Sequence, residues 1–482
     1  MRSRAAATKQ WITTLMRKTK IVCTVGPATA SREMIAALVD AGMDVARINL
    51  SHGTEQEHSQ VVSEIRQVAE DTGKPIAILM DLPGPKMRIG CFEKEPITLT
   101  KGDKFRITVE DVVGDQERVS IGYKPFAKQV KAGERILLAD GALQFVVEGT
   151  DGTNVDCVVE EGGELSSHKG VNVLGPSLDI PALTPRDREL IAFAVRVGVD
   201  FIGLSFCHQA SDVLDAKQAL AELQSHIPVI AKIEKKEAVD RIEEIVDVAD
   251  GVMVARGDLG VEIPIYEVPI AQKKIIACAN AANKPVITAT QMLSSMVENP
   301  RPTRAETTDV ANAILDGTDA TMLSEETTIG KHPIEAVKMM ASIASYTEPH
   351  VCPIMTRQDE GRCRIDAAIG HSAATAAHDL GASAIVAFTR TGRTAQLISQ
   401  HRLPMPVVAI TPDRTTLRRL NILWGIMPIL VEEIMSTDHM LEVAERVLLD
   451  RGIIHKQELY IVTAGLPASE TTPTNFMRAA RL

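Results

Sequence analysis

Short apolar, β-branched runs recur along the first two thirds of the chain. They lie at Ile21–Val25, Val45–Leu50, Ile76–Leu82, Phe201–Phe206, Val229–Glu234, Gly251–Arg256, Val286–Thr290 and Ala320–Ser324. The runs are nearly unbroken rather than alternating, as expected of strands buried on both faces. Between them, apolar positions recur three and four apart over Ser31–Ala41, Glu55–Asp71, Pro185–Val197, Ala210–Leu223, Lys235–Ala249, Val268–Ala282 and Arg304–Leu315. Ser31 ahead of Met34, and Thr184-Pro185 followed by Asp187, read as helix starts. Eight strand–helix units of this kind predict an α/β fold, a (β/α)8 TIM barrel. An open doubly wound sheet gives the same local signal, so periodicity alone leaves both open.

Two regions break the alternation. Residues 88–182 change to short alternating strands punctuated by Lys101-Gly102-Asp103, Val113-Gly114-Asp115, Asp140-Gly141 and Gly162-Gly163, which predicts an inserted all-β, barrel-like lid domain. An insertion after the third barrel strand stands at the C-terminal rim, where barrel active sites are built. Beyond residue 350, runs at Ile385–Phe388, Val407–Ile410, Met427–Val431 and Leu459–Val462 predict a separate C-terminal α/β domain. The division is then 1–17 as an N-terminal extension, 18–87 with 183–350 as the barrel, 88–182 as the lid and 351–482 as the last domain. The first 20 residues hold six basic and no acidic side chains, and they also contain the apolar Trp11 and Leu15; a targeting peptide and a plain extension before Met16 both fit.

Composition narrows the function. With 52 Lys and Arg against 63 Asp and Glu, the net charge of −11 gives no overall attraction to nucleic acid or anionic membrane, so an anionic ligand must be held locally. Aromatics at 3% argue against a base-stacking surface. The seven cysteines (23, 91, 157, 207, 278, 352 and 363) include no C-x-x-C pair, which points to a reducing, cytoplasmic compartment. No apolar run has the length of a membrane span.

The strand ends carry the candidate chemistry. Arg47, Asn49 and Ser51 share one face by period two; Asp81 ends the third run ahead of Lys86 and Arg88; Lys232 and Glu234 stand two apart in an apolar strand; Arg256-Gly257-Asp258 and Thr290 close the sixth and seventh. Each alone has an ordinary structural reading, an ion pair or a turn cap. Together, Glu234 and Asp258 offer two hard oxygen ligands suited to Mg²⁺ or Mn²⁺. Arg47, Lys232, Lys86 and Arg88 supply cations to clamp a phosphorylated or carboxylated substrate, the equipment of phosphoryl transfer. The chain has no GxxxxGK[ST] phosphate loop. Ser51-His52 is discounted as a nucleophile and base because strand neighbours point to opposite faces. In the last domain, Thr389-Arg390-Thr391-Gly392-Arg393-Thr394 joins a strand to a helix, either as an anion nest or as an ordinary capped turn.

These residues resemble the bacterial pyruvate kinases. The resemblance runs from Thr19 to Arg478 and rests on KTKIVCTVGPA, GMDVARINLSHG, MDLPGPKMRIG, LADG, SSHKGVNVLG, DFIGLSF, AKIE, DGVMVARGDLGVEIP, KPVITATQMLSSM, PRPTRAETTDVANAILDGTDATMLS and TPTNFMR. It implies a barrel, a lid after the third strand and a C-terminal effector domain, usually in a homotetramer. It further implies transfer of a phosphoryl group from phosphoenolpyruvate to ADP, giving pyruvate and ATP, the last step of glycolysis. On that basis Glu234 and Asp258 bind the divalent metal, and Lys232 and Arg47 meet the transferring phosphate. Thr290 with the Gly257 and Asp258 backbone holds the substrate carboxylate, Thr290 belongs to the proton-delivering region, and His52, Arg88 and Lys169 touch ADP. Thr389 to Thr394 bind the phosphate of an allosteric effector.

Departures from the family pattern add two expectations. Leu82 and Lys86 stand where potassium-dependent relatives carry Thr and Glu, so the Lys86 ammonium is expected at the monovalent-cation position near Asp81, Asn49 and Ser51, with K⁺ not required. The loop Gly465–Thr471 lacks the Trp and Arg that relatives use for fructose 1,6-bisphosphate, so a monophosphorylated activator (glucose 6-phosphate, ribose 5-phosphate or AMP) is expected. The rival readings are a metal-dependent pyruvate or enolpyruvate aldolase, which needs neither Lys169 nor the Arg47 and Lys232 pair, and a catalytically silent effector sensor, in which Lys232, Glu234 or Asp258 is lost.

Overall fold

The computed structural model describes residues 17–139, 141–174, 178, 180–355, 364–434, 436–467 and 470–482. Asp140 of the Asp140-Gly141 turn, Gly175, Cys363, most of the N-terminal extension and part of the loop Gly465–Thr471 lie outside them. Eight parallel strands close into a barrel: β1 (Lys20–Thr24), β2 (Val45–Asn49), β3 (Ala77–Asp81), β4 (Phe201–Leu204), β5 (Val229–Ile233), β6 (Gly251–Ala255), β7 (Val286–Ala289) and β8 (Ala320–Leu323). Each strand pairs with its neighbour in sequence and β8 returns to β1, which excludes the open sheet.

Alternate residues of these strands serve two cores. Ile21, Ala46, Ile48, Ile78, Met80 and Ile202 pack outward against the helices. Val22, Val45, Leu79, Phe201, Ile230, Met253 and Ile287 fill the interior, and that core continues into Leu403, Leu420 and Leu423 of the last domain. Continuing the interior parity to the C-terminal ends of β1 to β5 yields Thr24, Arg47, Asn49, Asp81, Ser205, Lys232 and Glu234. Apolar side chains therefore plug the bottom and the middle, while polar ones emerge at the mouth.

The helices begin where the sequence signals them. Thr54, Thr184 and Thr303 each form a reciprocal capping box with the acid three residues on, Glu57, Asp187 and Glu306. Such a cap is worth about 1 kcal/mol. One expected helix differs: 235–249 is two helices, Lys236–Asp240 and Ile242–Val248, meeting at Arg241. Buried Ala238, Ile242 and Ile245 keep helical spacing through the join, so the apolar pattern does not register the break.

The inserted segment pairs with itself. It forms a six-stranded sheet and a two-stranded ladder around Phe105, Phe126 and Phe145, rather than a closed cylinder like the central one. In the C-terminal region the sheet order is Ile426–Leu430, Val407–Thr411, Ala384–Phe388, Leu459–Ala464 and Phe476–Arg481. The last is an antiparallel edge strand beyond the four expected. All six described cysteines are free, and no described helix is long and apolar enough to cross a membrane.

Candidate active site

Four charged side chains interlock at the barrel mouth. Arg47, in β2, donates from Nε (2.8 Å) and Nη2 (2.6 Å) to Asp81 Oδ2 and from Nη1 to Thr24 Oγ1 (3.0 Å). Lys232 of β5 donates to Ser205 Oγ (2.7 Å) and lies 2.8 Å from Glu234 Oε1 and 3.3 Å from Asp81 Oδ1. Asp81, Lys232 and Glu234 are all buried, and charges there persist only because they are paired. Burial pushes the Asp81 carboxyl up, but the Lys232 and Arg47 charges outweigh it and hold it below the usual range. Burial likewise opposes the Lys232 charge, and Asp81 and Glu234 overcome it, raising its proton affinity. Glu234 goes the other way: burial and the nearby Asp258 raise it despite Lys232.

The two candidate metal ligands are near enough that the Asp258 charge acts on Glu234. Glu234 Oε2 accepts from the Phe206 backbone N–H (2.7 Å), while Oε1, buried and facing Lys232, has no aligned donor. Asp258 sits in the short helix Arg256–Glu262 that follows β6. Glu234 Oε1, with the Lys232 ammonium as its close neighbour, and the partly exposed Asp258 carboxylate are hard oxygen donors of the kind that suit Mg²⁺ or Mn²⁺, with the remaining positions left to substrate and water oxygens. Beside them, Thr290 Oγ1 accepts from Gly257 N–H (2.8 Å), which joins the two residues expected at the substrate carboxylate.

Lys86 has a contact outside the set expected for it. Its Nζ lies 3.3 Å from Asp258 Oδ1. Asp81 is already taken by Arg47 and Lys232, and Asn49 Oδ1 accepts from the Ser51 backbone (3.1 Å). The ammonium thus reaches the carboxylate of the neighbouring candidate site. The residues expected at the nucleotide fall in two groups. Arg88 and Lys169 come together within the inserted segment, where Arg88 Nη1 donates to the His168 carbonyl (2.9 Å) and Ile89 N–H to the Lys169 carbonyl (3.0 Å). His52 stands exposed on the loop after β2.

The description "pyruvate kinase, barrel domain" fits residues 16–337, and "pyruvate kinase, alpha/beta domain" fits residues 367–480. The chain belongs to the pyruvate kinase family. It is 45% identical to a pyruvate kinase of Geobacillus stearothermophilus over 470 residues, spanning 96% of this chain and 80% of that one. It is 43% identical to the pyruvate kinase of Thermotoga maritima, spanning 97% and 100%. A crystal structure of a Cryptosporidium parvum pyruvate kinase superposes with a TM-score of 0.92 at 35% identity, over 97% of each chain. This enzyme is accordingly a phosphotransferase that moves the phosphoryl group of phosphoenolpyruvate to ADP, and the aldolase and silent-homologue readings fall away.

The family's C-terminal unit holds the second candidate site. A cleft of about 200 Å³ is lined by Thr389, Arg390, Thr391, Arg393 and Thr394 with Thr471 to Thr474. Gly392 plays another part than expected: in the left-handed region at φ 87°, it spends its N–H on Thr389 Oγ1 (2.8 Å) instead of pointing it into the cleft. Arg390 pairs with Glu433 (2.6 Å) and Arg393 with Asp366 (3.2 Å), so an incoming anion competes with carboxylates for both.

The strand ends Thr24 and Ser205 were not singled out from sequence, although the interior parity of β1 and β4 reaches both. Arg256 was noted only as a strand end, because nothing local marks its partners on three other elements.

Proposed function

We propose that the mouth of the barrel carries out the family's reaction with Lys232, Arg47 and Thr290 in the central roles, and that residues 88–182 act as its lid. The observation that carries this reading is the buried Arg47–Asp81–Lys232–Glu234 array beside Asp258. Glu234 and Asp258 would hold a divalent metal, Mg²⁺ or Mn²⁺, which when bound supplies positive charge for the phosphoryl and carboxylate oxygens of the substrate. Lys232 adds a fixed cation on the transferring phosphoryl group, whose charge spreads over its equatorial oxygens. Arg47, locked to Asp81, faces the same group with no side-chain entropy left to lose on binding. The bond from phosphorus to the enol oxygen breaks as the bond to the terminal ADP oxygen forms. The enolate left behind takes a proton at its methylene carbon, on the Thr290 side. Arg88, Lys169 and His52 hold ADP. Homotetrameric assembly and a cytoplasmic setting complete the reading, the latter supported by the free thiols.

Lys86 supports activity without added K⁺, through a fixed ammonium beside Asp258. Pyruvate formation with Mg²⁺ is expected to be the same, within about twofold, in Na⁺ and K⁺ buffers of equal ionic strength. A Leu82→Thr, Lys86→Glu variant is expected to need K⁺. Full wild-type dependence on K⁺ would refute the role of Lys86, and absence of activity in both buffers would refute the reading as a whole.

For the C-terminal cleft we propose a monophosphorylated activator held by Thr389, Arg390, Thr391, Arg393 and Thr394, with Gly392 shaping the loop. A direct link to the barrel supports it: Thr416 Oγ1 donates to the Arg390 carbonyl (2.7 Å), and two residues on Arg418 Nε donates to Asp200 Oδ1 (2.7 Å) at the foot of β4. Glucose 6-phosphate, ribose 5-phosphate or AMP is expected to lower the KM for phosphoenolpyruvate several-fold, about 1 kcal/mol or more of coupling. Arg418→Ala is expected to blunt that effect while the activator still binds by calorimetry. An unchanged KM across the panel would refute the site.

A further inference from the structure

We propose that Arg256 is a positioning residue for the enolpyruvate half of the reaction, acting by holding the turn that presents Thr290. Thr290 and Gln291 adopt φ of 69° and 54°, the left-handed region that side chains rarely enter, least of all a β-branched one. A turn of that kind persists only where its surroundings over-determine it. Arg256 provides that restraint. Its Nη2 donates to the Thr290 carbonyl (2.7 Å) and its Nε to the Ala289 carbonyl (3.2 Å), fixing the peptide planes on both sides of Thr290. Its Nη1 donates to Asp309 Oδ1 (2.7 Å) and to Gln272 Oε1 (3.3 Å), so the guanidinium is itself clamped between two barrel helices.

The geometry has one local result. With its carbonyl turned to Arg256, Thr290 directs Oγ1 at the Gly257 N–H (2.8 Å) while donating to the Ala289 carbonyl (2.6 Å). Arg256 immediately precedes Gly257 and opens the helix that carries Asp258, so one side chain ties the Thr290 turn to the Gly257–Asp258 floor. Planarity is essential, because a lysine ammonium cannot reach two successive carbonyls and a carboxylate in this fork arrangement. The inference rests on the assignment of Thr290 to the enolpyruvate side.

The test compares Arg256→Ala, Arg256→Lys, Asp309→Asn and Thr290→Ala by kcat, by KM for each substrate, and by deuterium uptake at the methyl group of pyruvate in D₂O. Arg256→Ala is expected to lose about 10²-fold in kcat, the cost of misplacing a group by roughly an ångström. Methyl exchange should fall in step while the KM for ADP holds within about twofold. Added guanidinium should return at least a tenth of the wild-type rate to Arg256→Ala and nothing to Arg256→Lys. Near-wild-type kcat in Arg256→Ala, or a loss carried equally by the KM for ADP, overturns the proposal. Should Arg256→Ala fail to fold, Asp309→Asn decides. It is expected to lower kcat and methyl exchange together with the KM for ADP unmoved, and wild-type values overturn the proposal. Full activity in Thr290→Ala would instead remove the assignment of Thr290, whereas a slow Thr290→Ala beside a normal Arg256→Ala removes only the role of Arg256.

Discussion

Lys232→Met is expected to lower kcat by about 10³-fold, the scale of removing one preorganised charge from a site that stabilises developing negative charge. Lys232 is the cation that touches both sides of the array, Asp81 at 3.3 Å and Glu234 at 2.8 Å, from a buried position where its field is little screened. Arg47 cannot take its place, since two of its nitrogens are committed to Asp81 and a third to Thr24. The KM for phosphoenolpyruvate should change far less than kcat, because the interaction strengthens as charge develops. The substitution also leaves Glu234 buried without its counter-charge, so the melting temperature should fall. Mg²⁺ should restore more of that fall in the variant than it adds to the wild type, because a divalent ion replaces the missing positive charge. Steady-state kinetics and thermal denaturation with and without Mg²⁺ read both effects. A variant within tenfold of wild type would mean that Lys232 holds the strands together without acting on the phosphoryl group.

The barrel was legible because a buried parallel strand writes itself as a nearly continuous apolar run, and each of the eight runs lost only a terminal residue or two to the loops. The mouth was legible only as a set: Lys232 and Glu234 inside an apolar run read alone as an ordinary ion pair, and gain meaning from the charged ends of the neighbouring strands. Ser205 and Thr24 escaped because serine and threonine are unremarkable at strand ends, although strand parity assigns both to the interior. Long-range pairing left no such trace. The contact of Lys86 with Asp258 joins the loop after β3 to the helix Arg256–Glu262 across 172 positions, and no local pattern announces it. Arg256 draws its contacts from residues 16 to 53 positions away, and no periodicity encodes those. The edge strand Phe476–Arg481 was hidden by its composition: Arg478 and Arg481 on an exposed edge do not read as strand.

Arg402→Met is expected to cost about 3–5 kcal/mol of stability, the penalty for breaking a buried ion pair by removing one partner. The Arg402 side chain is only 2% exposed and Asp319 5%, at the seam where the closed end of the barrel meets the C-terminal sheet. Arg402 Nη1 donates to Asp319 Oδ1 (2.7 Å), and Nη2 donates to the Gly317 carbonyl (2.7 Å) and Asn280 Oδ1 (3.0 Å). Its guanidinium lies 5.4 Å from the centre of the Trp424 ring. Asp319 also accepts from the Val286 and Trp424 backbone N–H groups, so it cannot swing out to water when its partner is lost. Urea denaturation should show the midpoint falling. It should also become biphasic, because the core shared by the barrel and the C-terminal region passes through this seam. A second variant separates charge from packing. Arg402→Met combined with Asp319→Leu removes both charges, and although it gives up the Val286 and Trp424 hydrogen bonds it should be more stable than Arg402→Met alone. If the double variant is the less stable of the two, the cost lies in lost hydrogen bonds and packing, and the seam is held by shape more than by charge.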